Sequence, residues 1–289
     1  MVLHRMFLIL LCFALLGALA APVAAAGRVR EPEPVPEVRR PSLLREFHRE
    51  HTEGTMVVLQ RGRLNRLVVV GQRRSKERVL PSSTFKIPNA LIVFDRGVAS
   101  GPDEQFPGPH PNYLLDGKPL LPAECEGDLT FRIAFQMSCI PIFQEFARCI
   151  GRAVYKRELR DLGYGNGRSG VAPVDDFWLH GPFGISAREQ VAFLERLRLG
   201  ELPVRAQAMR DVRDMLVMER RDGVTVRGKT GFVFAQDGEP QQGWWVGWVT
   251  RRGQRSVFAL QMDMERADLV PARMTIGRRI LERLHAFAP

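Results

Sequence analysis

The chain has 289 residues, 45% of them hydrophobic and 26% charged, which suits one large folded domain and excludes disorder as its main theme. Its formal net charge is +10, a surplus that in a cytoplasmic protein would suggest nucleic acid. The basic clusters Arg73-Arg74-Ser75-Lys76, Arg251-Arg252 and Arg278-Arg279 are scattered and lack interleaved aromatics, so they read as solvated faces and no nucleic-acid partner is expected.

His4 and Arg5 precede an apolar run from Met6 to Leu19, and small residues follow at Ala18-Leu19-Ala20 and Ala24-Ala25-Ala26. This is the pattern of an export signal over residues 1–26, cleaved after Ala20 or Ala26, and it predicts a periplasmic or secreted protein that meets the membrane only transiently, during export. Residues 27–41 contain Glu-Pro-Glu-Pro-Val-Pro-Glu, a charged and proline-rich run expected to be an extended linker. The folded domain is expected over 42–289. Three cysteines remain after signal removal, Cys125, Cys139 and Cys149, so at most one bridge forms among them. Cys139 and Cys149 lie in one helical stretch, about 15 Å apart, too far to join. Cys125 with either partner stays open. No spacing of His, Cys, Asp or Glu points to a metal site.

Leu43, Leu44 and Phe47 suggest a short helix, and the segments from Gly54 and Arg66 to Gly71 read as two strands of a hairpin. Helical spacing runs from Phe85 to about Gly97, with Pro88 expected to strain or bend it. Gly101 to Gly127 is an irregular excursion. Leu129 to Ile150 is helical again with an interruption at Pro141, and Gly163-Tyr164-Gly165-Asn166-Gly167 must turn. Helices are expected over Gln190 to Leu199 and Ala206 to Glu219, strands over Thr225 to Val233, Gly243 to Thr250 and Ser256 to Met262, and a last helix from Pro271. Strands at both ends with helices between predict an α+β fold, an α/β/α sandwich. One central antiparallel sheet is closed by both halves of the chain, with a mainly helical lobe inserted.

Ser83 and Lys86 stand three apart where a helix starts, so they share one face. A serine hydroxyl needs a base to become a nucleophile, and lysine serves only if burial holds it neutral. Phe85, Ile87, Ala90, Leu91 and Ile92 make the segment apolar. The bland alternative is a helix start with Ser82 or Ser83 as cap and Lys86 in water.

Downstream come Ser138-Cys139-Ile140 and then Lys229-Thr230-Gly231, the order found in penicillin-recognising serine enzymes. Pro81-Ser82-Ser83-Thr84-Phe85-Lys86-Ile87-Pro88-Asn89 resembles the signature of class D β-lactamases, the oxacillinases. So do Tyr164-Gly165-Asn166, Phe177-Trp178-Leu179-His180-Gly181-Pro182, Glu189-Gln190 and Gly243-Trp244-Trp245-Val246-Gly247-Trp248. The resemblance covers most of the chain from about Gly54 to Arg273. It implies a serine hydrolase that opens β-lactam antibiotics through an acyl-enzyme on Ser83. Lys86, carboxylated on its side-chain nitrogen by carbon dioxide or bicarbonate, would be the general base, with no other cofactor. Trp178 would donate to the added group, and Ser138 would pass a proton to the departing nitrogen. Lys229 would supply positive potential, and the backbone N–H groups of Ser83 and Phe232 would form the oxyanion hole. Thr230, Gly231 and Arg273 would bind substrate, Arg273 through the penicillin carboxylate. Ile140 stands where the family usually has valine, keeping the lysine pocket apolar but more crowded. Tyr164 and Asn166 read as turn residues. The alternative is a non-hydrolysing penicillin-binding or sensor protein that stays acylated. The substrate spectrum and the oligomeric state are not written in the sequence.

Overall fold

The computed structural model describes residues 35–112, 114–115, 118–119, 121–234 and 240–287. The expected export signal and the start of the linker lie outside these residues. The chain lays down β1 (Glu37–Arg39), the short helix α1 (Arg45–His48), then β2 (Gly54–Arg61) and β3 (Arg66–Val70). Helix α2 (Lys86–Asp95) follows, then an excursion holding four two-residue strands, β4 (Gln105–Phe106), β5 (Leu114–Leu115), β6 (Lys118–Pro119) and β7 (Leu129–Thr130). Five helices come next: α3 (Phe131–Met137), α4 (Ile140–Ile150), α5 (Arg152–Leu162), α6 (Ala187–Leu199) and α7 (Ala206–Met215). The chain returns through β8 (Val217–Arg221), β9 (Val224–Phe234), β10 (Pro240–Arg251) and β11 (Gln254–Asp263) to α8 (Ala272–Arg283).

Seven strands form one sheet in the order β1-β3-β2-β11-β10-β9-β8, antiparallel except where β1 runs parallel to β3. The expected closure by both chain ends is therefore present, with β2 against β11 at the seam. Side chains alternate across a strand, and β10 divides accordingly. Trp244, Val246 and Trp248 face the helical lobe, while Trp245 and Val249 face α8 and Phe47 of α1. Both faces are covered, which is why β11 carries the unbroken run Val257-Phe258-Ala259-Leu260 rather than an apolar and polar alternation. Arg252 and Gly253, with φ of +41° and +79°, make the two-residue turn joining β10 to β11.

Several expectations are corrected. Residues 37–39 of the expected linker add a strand to the sheet edge. Pro88 is the third residue of α2, within the first turn, where its missing N–H has no intrahelical partner to lose, so it does not break the helix. The interruption between α3 and α4 falls at Ser138-Cys139, ahead of Pro141, which occupies the first turn of α4. The expected helix through Glu219 ends at Met215, and its last residues pair with β9 as β8. Helix α5, bracketed by Gly151 and Gly163, has no counterpart in the sequence reading. Of the two open pairings, Cys125 joins Cys139, with Cα atoms 5.4 Å apart. Cys149 is not a free thiol.

Candidate active site

Ser82–Phe85 form a turn of 3₁₀ helix that runs straight into α2, so Ser83 and Lys86 lie one above the other. The turn is held from three sides. Ser82 adopts φ +48°, uncommon for a residue with a Cβ; its N–H donates to Trp178 O at 3.0 Å and its hydroxyl donates to Phe232 O. From below, the Thr84 hydroxyl donates to Pro81 O at 2.6 Å, and Gln190 Nε2 on α6 donates to Thr84 Oγ1 at 3.0 Å and to the Tyr164 hydroxyl at 3.2 Å. Tyr164 is thus more than a turn residue, whereas Asn166 keeps that role by donating to Pro182 O at 2.8 Å. Ser82, a candidate cap in the sequence, makes no cap hydrogen bond, and Gln190 had no role assigned from the sequence. Their signal was the matched segments that contain them.

Lys86 is 1% exposed, and its Nζ lies 3.4 Å from Ser83 Oγ. The ring of Phe143, one helical turn beyond Ile140, covers Nζ at 5.2 Å from its centroid, while Ile140 itself is buried at the first residue of α4. Phe143 was legible only as an apolar residue at helical spacing. Burial, helped by the nearby charge of Lys229, holds the Lys86 amine well below its ordinary pKa. Trp178 stacks on Phe85 at 4.9 Å between centroids, and its indole N–H is buried without a partner. Burial thus disfavours the charged form of Lys86, and the ring stacked on the neighbouring Phe85 carries an unsatisfied donor.

Beyond Gly228, β9 has no strand on its outer side among the described residues, because β8 pairs with it only from Val224 to Arg227. That free edge runs past Ser83: a Cβ on Gly231 would stand 3.2 Å from Ser83 N and 3.1 Å from Thr84 N. Glycine is needed there for close approach. Lys229, on the same face of β9, donates from Nζ to Ser138 Oγ, and burial together with the charge of Arg273 lowers its pKa to about 7. Thr230 and Phe232 point to the other face, which they share with Arg273. Arg273 donates to Gly231 O at 2.6 Å and Val270 O at 2.8 Å, and its guanidinium lies 5.3 Å from the Phe232 ring centroid. The structure thus brings Ser83, Lys86, Ser138 and Lys229 to one cleft, with Trp178 stacked on Phe85, the residue before the lysine, and Arg273 bonded to Gly231 O of β9. It can support attack by a hydroxyl, proton delivery opposite it, and binding of an anion.

Residues 54–282 match the transpeptidase domain of penicillin-binding proteins. The chain is 36% identical over 239 residues to β-lactamase OXA-10 of Pseudomonas aeruginosa, covering 82% of this chain and 86% of that protein. It is also 36% identical to β-lactamase OXA-48 of Klebsiella pneumoniae, over 81% of this chain and 84% of the relative. The crystal structure of FUS-1 (OXA-85), a class D β-lactamase from Fusobacterium nucleatum subsp. polymorphum, superposes with a TM-score of 0.77 at 30% identity, covering 86% of this chain and 99% of that one. With this identity spread over nearly the whole length of its relatives, the chain belongs to the class D β-lactamases.

Proposed function

We propose that this enzyme hydrolyses the β-lactam ring of penicillin-type antibiotics through an acyl-enzyme on Ser83, with Lys86 carboxylated on Nζ by carbon dioxide. One observation carries the reading: Lys86 is enclosed, burial disfavours its charged form, and it has no carboxylate partner among the described residues, while the indole N–H of Trp178, stacked on the adjacent Phe85, is buried and unsatisfied. A neutral amine is the form that reacts with carbon dioxide, and an indole N–H can only donate, so it favours an anion. Lys229, whose charge disfavours an ammonium at Lys86, favours an anion there for the same reason. Carboxylated, Lys86 would supply the base that deprotonates Ser83 and, later, the attacking water.

The rest follows from the chain's own groups. Arg273, with Thr230 nearby, receives the penicillin carboxylate and aligns the ring along the free edge of β9. Ser83 Oγ forms a bond to the lactam carbonyl carbon, and the backbone N–H groups of Ser83 and Phe232 receive the oxyanion. As the carbon–nitrogen bond breaks, Ser138 gives its proton to the nitrogen and regains one from Lys229. Water then releases the acid product from Ser83. The apolar run after Arg5 supports an exported, periplasmic or secreted enzyme, and the Cys125–Cys139 bridge suits an oxidising compartment.

The test is consumption of a penicillin in large excess by purified protein with bicarbonate added. Turnover through many equivalents, lost in Ser83→Ala, is expected. A single stoichiometric burst followed by a stable adduct would instead identify a penicillin-binding or sensor protein.

A further inference from the structure

Ser138 has φ +64° and ψ +33°, the left-handed region, which a non-glycine residue keeps only where its surroundings hold it. Its own helix is a weak hold, since α3 is only 7 residues long. Two attachments act on it from outside that helix. Lys229 Nζ donates to its hydroxyl. The next residue, Cys139, is joined to Cys125 in the 3₁₀ turn Ala123–Glu126. Both cysteines are 1% exposed and lie in the core under the helical lobe. The turn is anchored in its own right: His110 N–H donates to Glu126 O at 2.8 Å and Asn112 Nδ2 to Glu126 Oε1 at 2.7 Å.

We propose that the Cys125–Cys139 bridge is a positioning element for Ser138, so that proton delivery to the leaving nitrogen depends on the oxidised chain. The proposal rests on the lactam-opening reaction above. Closing the bridge takes two protons and two electrons from the thiols, accepted by a disulfide oxidant of the compartment that receives the chain. With the bridge closed, the serine peptide is fixed between a covalent tether and Lys229. With it open, the peptide relaxes toward ordinary backbone angles and the hydroxyl leaves Lys229. Full activity is then acquired only after oxidation.

The experiment compares wild type, Cys125→Ala/Cys139→Ala, Ser138→Ala and the triple variant. It measures the acylation rate by a chromogenic penicillin, well below each variant's unfolding midpoint. The bridgeless enzyme should acylate roughly tenfold or more slowly with an unchanged bicarbonate requirement, and the triple variant should be no slower than Ser138→Ala. Wild type refolded in dithiothreitol should match the double variant and recover with glutathione disulfide, which also serves if the double variant fails to fold. Acylation by the bridgeless enzyme within about twofold of wild type overturns the proposal. So does an equal loss in the Ser138→Ala background, which would mark the bridge as structural only. A wild type that never acylates overturns the reaction on which the proposal rests, and the proposal with it.

Discussion

Two lysines, Lys86 and Lys229, are enclosed in the same cleft, and what they do follows from the cost of charging an amine away from water. Folding lowers the pKa of Lys229 from 10.5 to about 7. Between those values the unfolded chain binds a proton that the folded chain does not, so this group makes stability rise with pH across that window. Below about pH 7 both states are protonated and the penalty of the buried charge is fully present. Lys229→Met should therefore flatten the rise of the thermal midpoint with pH between neutral and alkaline conditions while abolishing most penicillin turnover. A slope unchanged by the substitution would mean that Lys229 is solvated. Lys86 responds in the same direction: as pH falls, its ammonium form grows at the expense of the amine that carbon dioxide needs, so more bicarbonate should be required for full activity at acid pH. Trp178→Phe keeps the stacking on Phe85 but removes a buried donor that has no partner among the described residues. It should raise the bicarbonate concentration for half-maximal activity by roughly tenfold, which corresponds to one hydrogen bond to a charged group.

At the scale of elements, the site is an edge and a break. β9 offers its free edge because β8 stops pairing at Arg227. Arg273 reaches that edge across Gly243 on β10, where a Cβ would stand 2.6 Å from Arg273 Cδ and 2.2 Å from Met264 Sδ. Gly243→Ala should displace the guanidinium and raise KM for penicillin roughly tenfold, about 1.4 kcal/mol, with much less change in kcat. A penicillin whose carboxylate is esterified should be indifferent to the change. A fall in kcat with KM unchanged would contradict this role. These elements were unevenly legible. β10 and β11 were plain because Trp244 to Val249 and Val257 to Leu260 are nearly unbroken apolar runs. The break at Ser138 was not: the apolar spacing of Phe131, Phe135 and Phe143 continues across it, and only a left-handed residue interrupts the helix. Pro141 misled for a related reason, since proline in a first turn starts a helix rather than ending it. Val217 to Arg221 lacks any apolar pattern of its own, so its strand character comes only from pairing with β9.

At the scale of the molecule, the catalytic cleft depends on closure of the sheet by the two ends of the chain. Glu46 on α1 is fully buried yet paired with Arg49 at 2.8 Å and, on the last helix, with Arg283 at 2.7 Å. Glu46→Ala should cost about 2 kcal/mol of stability, read by urea unfolding, while leaving turnover at low temperature unchanged. An unaltered unfolding midpoint would remove this clamp from the account. The sandwich itself was readable, because strands at both termini must meet to bury their apolar faces. The clamp was not, because a glutamate in a sequence carries no sign of being enclosed. ¹³C NMR of the enzyme equilibrated with ¹³C-bicarbonate tests most directly whether Lys86 carries a carboxylate. One slowly exchanging carbamate resonance should appear, absent in Lys86→Ala and weakened in Trp178→Phe. A spectrum of free bicarbonate alone, from enzyme that still turns over penicillin, would contradict the carboxylated lysine and require another base beside Ser83.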